Sequence, residues 1–239
     1  MRALVPSDLD LGSDRALHLA YAPPKRAWVR ANFISSIDGA AWLNGTAGAL
    51  GTPLDQAILA ILRAHADVVV VGAGTVRAEQ YGPLRHTAAR VELRREAGLE
   101  STARLAVISR SLRFTGRERW IAEAPVPPLI LTGEATARAI PGAETVVCGE
   151  EAVDPARAID ALAERGLLGV LCEGGPTVFA EFAASGRLDE LCLTISPVMA
   201  GPGALRIVDG VSWRESHRGA LTQLIEDEDL LFARYTFTA

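Results

Sequence analysis

Two glycine-bearing turns, each directly after a short apolar run, carry the first chemical signal in this 239-residue chain. Val71-Gly72-Ala73-Gly74-Thr75-Val76-Arg77 follows the valine run Val68 to Val71. Cys172-Glu173-Gly174-Gly175-Pro176-Thr177 follows Val170-Leu171 and precedes a helical stretch from Val178 to Ala184. Glycine lets a backbone approach a ligand closely, and the free N–H groups of a following helix attract phosphate oxygens. Pro176 at the first helical position and Thr177 beside it suit that geometry. Neither turn reads Gly-x-Gly-x-x-Gly, so the Rossmann fingerprint is missing. Each turn alone is equally a tight structural turn; two at the carboxyl ends of parallel strands point to a ligand, because open α/β sheets bind along that edge.

Charged residues accompany these turns. Ile34-Ser35-Ser36-Ile37-Asp38-Gly39-Ala40 places a carboxylate and a glycine just past a strand, either as a plain β-turn or at the mouth of a site. Arg63 ends a helix, and Arg77, Glu79 and Arg85 follow the Gly72 turn, where guanidinium groups suit a phosphate. From Arg85 to Arg119 nine arginines face four glutamates, in a chain whose net charge is −5. That excess reads as a solvated basic helix or as a rim for a phosphorylated ligand.

The composition excludes much else. Lys25 is the one lysine, so a Schiff-base lysine has no home, and no Gly-Lys forms a P-loop. His18, His65, His86 and His217 show no metal spacing, and no metal site is expected. Neither a Gly-x-Ser-x-Gly elbow nor the zinc deaminase signature occurs. Cys148, Cys172 and Cys192 read as small buried apolar residues of a reducing compartment. The acidic balance argues against nucleic acid. No apolar run approaches a membrane span and no signal peptide is expected, so the reading is cytoplasmic, with no membrane partner.

The elements behind these segments follow from periodicity. Ala27 to Ile34 alternates as a strand, and Val68 to Val71, Leu105 to Ile108, Leu129 to Leu131, Val146 to Cys148 and Val170 to Cys172 read as buried strands. Helices separate most of them. One starts at Thr52-Pro53-Leu54-Asp55, with Thr52 as cap and Asp55 completing a capping box, and carries Ile58, Ile61, Leu62 and His65. Another runs from Asp154-Pro155 to Gly166. Leu188 to Ile195 alternates again, and Leu221 to Phe237 reads as an antiparallel hairpin. The expectation is one α/β domain over 27–239, with a mixed, mainly parallel central sheet flanked by helices, after an N-terminal arm over 1–26.

In order along the chain, Asn32-Phe33-Ile34-Ser35-Ser36-Ile37-Asp38-Gly39, Leu62-Arg63-Ala64, the Gly72 turn and Glu173-Gly174-Gly175-Pro176-Thr177 resemble the pyrimidine reductases of riboflavin biosynthesis. Leu188-Asp189-Glu190-Leu191, Ile195-Ser196-Pro197 and Gly201 fit the same family. The resemblance implies a dihydrofolate-reductase-like fold and NADPH-dependent reduction of the ribosyl group of 5-amino-6-(5-phosphoribosylamino)uracil. It implies cofactor contacts at Thr75, Glu79, Gly175, Pro176 and Thr177, with Ser109 at the 2′-phosphate; the glycine turns add Gly72, Gly74 and Gly174, and the local basic excess adds Arg110 beside Ser109, which suits a 2′-phosphate. It implies substrate contacts at Arg63, Arg85 and Glu173, with Asp38 and Glu173 as the catalytic carboxylates. A homodimer is expected, with the deaminase step supplied by another protein. The sequence departs from the family pattern at Ala49, Glu79 and Tyr81-Gly82-Pro83. A pterin-like substrate such as dihydrofolate, and an NADPH-binding protein without turnover, are the alternative readings.

Overall fold

The computed structural model describes residues 1–237 except positions 44, 211 and 214. The chain forms the strands β1 (Arg2–Val5), β2 (Trp28–Ser36), β3 (Val68–Gly72), β4 (Arg104–Ile108), β5 (Leu129–Thr132), β6 (Glu144–Val147), β7 (Gly169–Cys172), β8 (Glu190–Ser196), β9 (Ala220–Asp227) and β10 (Leu230–Thr236), of which β1 alone was not expected as a strand. All ten join one sheet in the order β1-β9-β10-β8-β2-β7-β3-β4-β5-β6. From β8 to β6 neighbouring strands are parallel, and β10, β9 and β1 pair antiparallel at the other edge. This is the expected mixed α/β sheet.

Among the described residues seven α-helices accompany them: α1 (Asp14–Ala20), α2 (Pro53–His65), α3 (Ala73–Ala78), α4 (Ala88–Glu96), α5 (Arg119–Ala122), α6 (Pro155–Ala163) and α7 (Pro176–Ala184). Alternation within each parallel strand builds a core on both faces, which is why these strands read as unbroken β-branched runs. Val69, Val71, Leu105, Val107 and Leu171 pack with Ile58, Ile61 and Leu62 of α2. Val68, Val70, Ala106, Ile108 and Cys172 pack with Ile159 and Leu162 of α6 and Phe179 and Phe182 of α7. Among the described residues no helix is long and apolar enough to cross a membrane.

The first 26 residues, expected as an arm, contribute the edge strand β1 and bury Leu17 and Tyr21 in the core beside α2. Buried charge ties this part to the rest, because Arg30 donates to Tyr21 O and Arg234 to Ala20 O. Arg30 and Arg234 both pair with the fully buried Glu190, which also accepts from Trp28 Nε1 at 2.8 Å. That cluster links β2, β8 and β10.

The helix ends follow the sequence. Thr52 accepts from Asp55 N, and Asp154 accepts from Ala156 N and Arg157 N. The capping box at Thr52 stays half-made, because the Asp55 carboxylate accepts from Thr194 Oγ1 on β8 instead, at 2.7 Å. The basic stretch is less exposed than its composition implies. Arg94 on α4 is 1% exposed and donates to the carbonyls of Arg63, Ala64 and Ala66, closing the C-terminal end of α2.

Candidate active site

The carboxyl ends of β2, β7, β3 and β4 open onto a cleft of about 1010 Å³. Both glycine turns border it. Gly72 caps α3 and its N–H donates to Gly174 O at 2.6 Å, so the turns are bonded to each other. A Cβ at Gly174, where φ is +86°, would lie 2.6 Å from the Phe33 ring, and one at Gly175 would lie 2.8 Å from Thr75 Oγ1. These glycines are required by close packing and, at Gly174, by a left-handed backbone. Gly74 differs: a Cβ there would meet nothing within 4 Å, and the residue lines the cleft.

Helix α7 starts at this wall with Gly175 as its cap and Pro176 next, and no side chain caps it. Its first free N–H groups, from Thr177 and Val178, are therefore available at the cleft edge to an anion. Thr75, Glu79, Ser109, Arg110, Gly175, Pro176 and Thr177 all line the same cavity. Ser109 Oγ accepts from Leu112 N at 3.1 Å, which leaves its own O–H free to donate. A glycine-lined wall beside an uncapped helix N-terminus, flanked by a hydroxyl and a guanidinium, fits the pyrophosphate and 2′-phosphate of a dinucleotide.

A second polar cluster lines the same cleft. Glu173, just past β7, accepts from Arg63 Nε and Nη2, each at 2.6 Å, and from the Tyr81 hydroxyl at 2.7 Å. Its side chain is 4% exposed. Burial works against the Arg63 charge, but Glu173 outweighs it and holds the guanidinium above its ordinary pKa. Burial, reinforced by the Glu173 charge, pushes the Tyr81 hydroxyl well above its ordinary range, so it remains a donor. Arg63 Nη1 has no protein partner among the described residues, leaving its N–H groups for a ligand.

Asp38 and Arg85 do not line this cavity. Asp38 is exposed, accepts from the Ser36 hydroxyl, and takes the N–H groups of Ala200 and Gly201 at 3.1 and 2.8 Å. The Ser36 hydrogen bond, with those two N–H groups, lowers its carboxyl to about 2. It locks a turn, and at neutral pH it holds no proton to give. Arg85 is exposed and donates to Glu123 O at 3.2 Å. Both sat beside motifs of the right composition, but their partners lie far along the chain.

The cleft also holds residues that the sequence did not single out as functional: Asn32, Trp42, Asp55, Gln56, Tyr81 and Glu181. Tyr81 was visible as a departure in the loop after Glu79. Asp55 read as a cap partner, and nothing local pointed it elsewhere.

The RibD C-terminal domain family matches residues 27–228. A solved pyrimidine reductase-like protein from Corynebacterium diphtheriae is 29% identical, with a TM-score of 0.78, and the match covers 89% of this chain and 92% of that one. A deaminase/5-amino-6-(5-phosphoribosylamino)uracil reductase from Thermotoga maritima superposes with a TM-score of 0.71 at 18% identity, covering 93% of this chain and 60% of that one. The riboflavin biosynthesis reductase of Saccharomyces cerevisiae gives 0.66 at 18% identity, covering 89% and 90%. No curated protein matches the chain.

Proposed function

The chain belongs to the RibD C-terminal domain family, and from that premise we propose that it is an NADPH-dependent reductase of a phosphorylated ribosylaminopyrimidine, 5-amino-6-(5-phosphoribosylamino)uracil, in riboflavin biosynthesis. One observation carries the reading: a single cleft joins a phosphate-suited wall to a half-buried Arg63–Glu173–Tyr81 cluster. Gly72, Gly74, Thr75, Glu79, Gly175, Pro176 and Thr177 hold the dinucleotide, with Ser109 and Arg110 at its 2′-phosphate. Gly174 shapes the turn from behind.

When bound, the nicotinamide supplies a hydride to the sugar C1′. The protein's own part is to bind, orient and exclude water. Glu173 accepts from the N–H groups of the pyrimidine once these displace part of its hydrogen bonding, and the free Nη1 of Arg63 donates to an oxygen of the same substrate. Tyr81 keeps Glu173 in place.

The test is to mix purified protein, NADPH and the phosphoribosylaminouracil and follow loss of the reduced nicotinamide absorbance, with dihydrofolate as the competing substrate. Turnover of the uracil is the expected result. Turnover of dihydrofolate alone moves the protein to the pterin reading, and tight NADPH binding without turnover of either makes it a binding protein.

The proposal includes a cytoplasmic homodimer. Leu191, Leu193 and Ile195 on β8, with Leu231 on β10, form a half-buried apolar stripe that a second copy would cover. A monomer by light scattering would refute that part.

A further inference from the structure

Reductive opening of a ribosylamine needs a proton as well as a hydride, and the carboxyl groups of the cleft differ in their capacity to give one. Glu173 already accepts three hydrogen bonds from Arg63 and Tyr81. Glu79 is exposed and accepts from Ala47 N. Glu181 stands on α7, where Arg110 acts on it electrostatically. Asp38 lies outside the cleft lining. Asp55 is different: it lines the cleft from the first turn of α2, and burial and the Thr194 hydroxyl act on its carboxyl with no guanidinium among them.

We infer that Asp55 is the acid that protonates the sugar ring oxygen, with Thr194 as the residue that positions it. This rests on the reductase reading above. The Thr194 hydroxyl donates to Asp55 Oδ1 at 2.7 Å, which fixes the carboxyl and leaves Oδ2 to carry the proton. Oδ2 sits over Gly51, where a Cβ would come within 2.8 Å of it, so the neighbouring glycine leaves that oxygen its space. Burial raises the Asp55 pKa from its ordinary value while the Thr194 hydrogen bond lowers it, and burial wins. Arg63, Arg77, Glu79, Arg110, Glu173 and Glu181 share the cleft wall, and none hydrogen-bonds to Asp55. Once the proton has left, Thr194 and the N-terminal end of α2 stabilise the carboxylate that remains.

The balance closes. Asp55 gives H⁺ to the ring oxygen as the C1′–O bond breaks, and the nitrogen lone pair forms a C1′=N bond. A hydride enters C1′ with its electron pair, and the π electrons return to nitrogen. The product has gained one hydride and one proton, and Asp55 regains its proton from water.

Three readouts test this. In the free protein, carbon NMR of the Asp55 side chain, assigned by its loss in Asp55→Asn, is expected to titrate above the ordinary aspartate value of 3.8. Asp55→Asn is expected to bind NADPH within about twofold of wild type while kcat falls by about 10²–10⁴-fold. The kcat/KM profile of the wild type is expected to fall as pH rises through the Asp55 pKa, and Thr194→Val is expected to move that limb to higher pH. An Asp55 signal titrating at or below the ordinary value, or an Asp55→Asn variant with wild-type kcat, overturns the inference and leaves the reductase reading standing. A wild type that binds NADPH and leaves the ribosyl substrate untouched overturns that reading instead.

Discussion

Arg63 Nε and Nη2 meet Glu173 Oε1 and Oε2 at 2.6 Å each, in a two-point pair that spans 110 residues of chain. One partner closes α2 and the other follows β7, so the pair fixes the helix against the sheet at the cleft floor. Arg94 holds the Arg63 carbonyl from below, at 3.3 Å, so backbone and side chain of Arg63 are both constrained. The arrangement makes a rigid polar wall out of residues that are individually ordinary.

Glu173→Gln is therefore expected to weaken both fold and binding. Removing one partner of a fully buried pair costs roughly 3–5 kcal/mol; with 27% of the Arg63 side chain exposed, a loss of about 2–3 kcal/mol is expected. The urea midpoint should fall by the corresponding amount without a change in m-value. A midpoint equal to that of wild type would show that water replaces the carboxylate at no cost.

The glycines separate into two kinds, and alanine distinguishes them. Gly174 has φ +86° and faces the Phe33 ring, so Gly174→Ala is expected to destabilise by more than about 1 kcal/mol. Gly74 lies within α3 with open space around it, so Gly74→Ala should stabilise by up to about 1 kcal/mol through helix propensity. Yet the added methyl group enters the cleft on the side proposed to hold the cofactor. The expected signature is a higher melting temperature together with weaker NADPH binding. A Gly74→Ala protein that binds NADPH as tightly as wild type would remove that turn from the site.

Strands that carry the cleft were legible because burial on two faces leaves an unmistakable β-branched run, as in Val68 to Val71. Helix starts at Thr52 and Asp154 were legible because capping is local. Asp55 was not, since its carboxylate answers to Thr194, 139 residues away, and no local pattern encodes that contact. Arg94 shows the same limit: composition placed it on a solvated basic helix, and packing made it a buried helix cap. Asp38 carried a familiar motif, but its partners at Ala200 and Gly201 exist only once the chain has folded.

Acid should destabilise the protein below neutrality through its histidines. His65 is pushed down to about 3, chiefly by burial and then by the charge of His18, whose ring stacks on it at 3.9 Å between centroids. His86 is lowered to about 4, again by burial first and then by Arg94, Arg90 and Arg63, and burial lowers His18 too. The folded pKa values lie below the unfolded value of 6.5, so stability is complete above that pH and is lost as pH falls toward them. Each histidine that stays neutral in the fold contributes a slope of about 1.4 kcal/mol per pH unit between those limits. Urea midpoints measured from pH 7.5 down to pH 5 should fall on this basis, and His65→Gln should flatten the slope by about one proton. An unchanged slope in that variant would mean that His65 titrates in the fold as it does in the unfolded chain.

Arg110 should decide between the two nicotinamide cofactors. It follows β4 at the carboxyl edge of the sheet, is exposed, and forms no ion pair among the described residues. A guanidinium without a protein partner, next to the free Ser109 hydroxyl, suits a dianionic 2′-phosphate and gives nothing to the hydroxyl of NADH. Arg110→Ala is expected to weaken NADPH by about tenfold, or ~1.4 kcal/mol, and to leave NADH unchanged, as followed by quenching of tryptophan fluorescence. The difference should shrink with added salt, because the contact is exposed. Glu181 supplies the opposing charge: burial raises its carboxyl and Arg110 lowers it, so the two are electrostatically linked across the cleft wall. Glu181→Gln removes a negative charge that competes for Arg110 and repels the phosphate, so NADPH should bind more tightly, with NADH again little affected. If Arg110→Ala weakened both nucleotides equally, the residue would be holding the shared pyrophosphate, and the 2′-phosphate would have to be read elsewhere in the cleft.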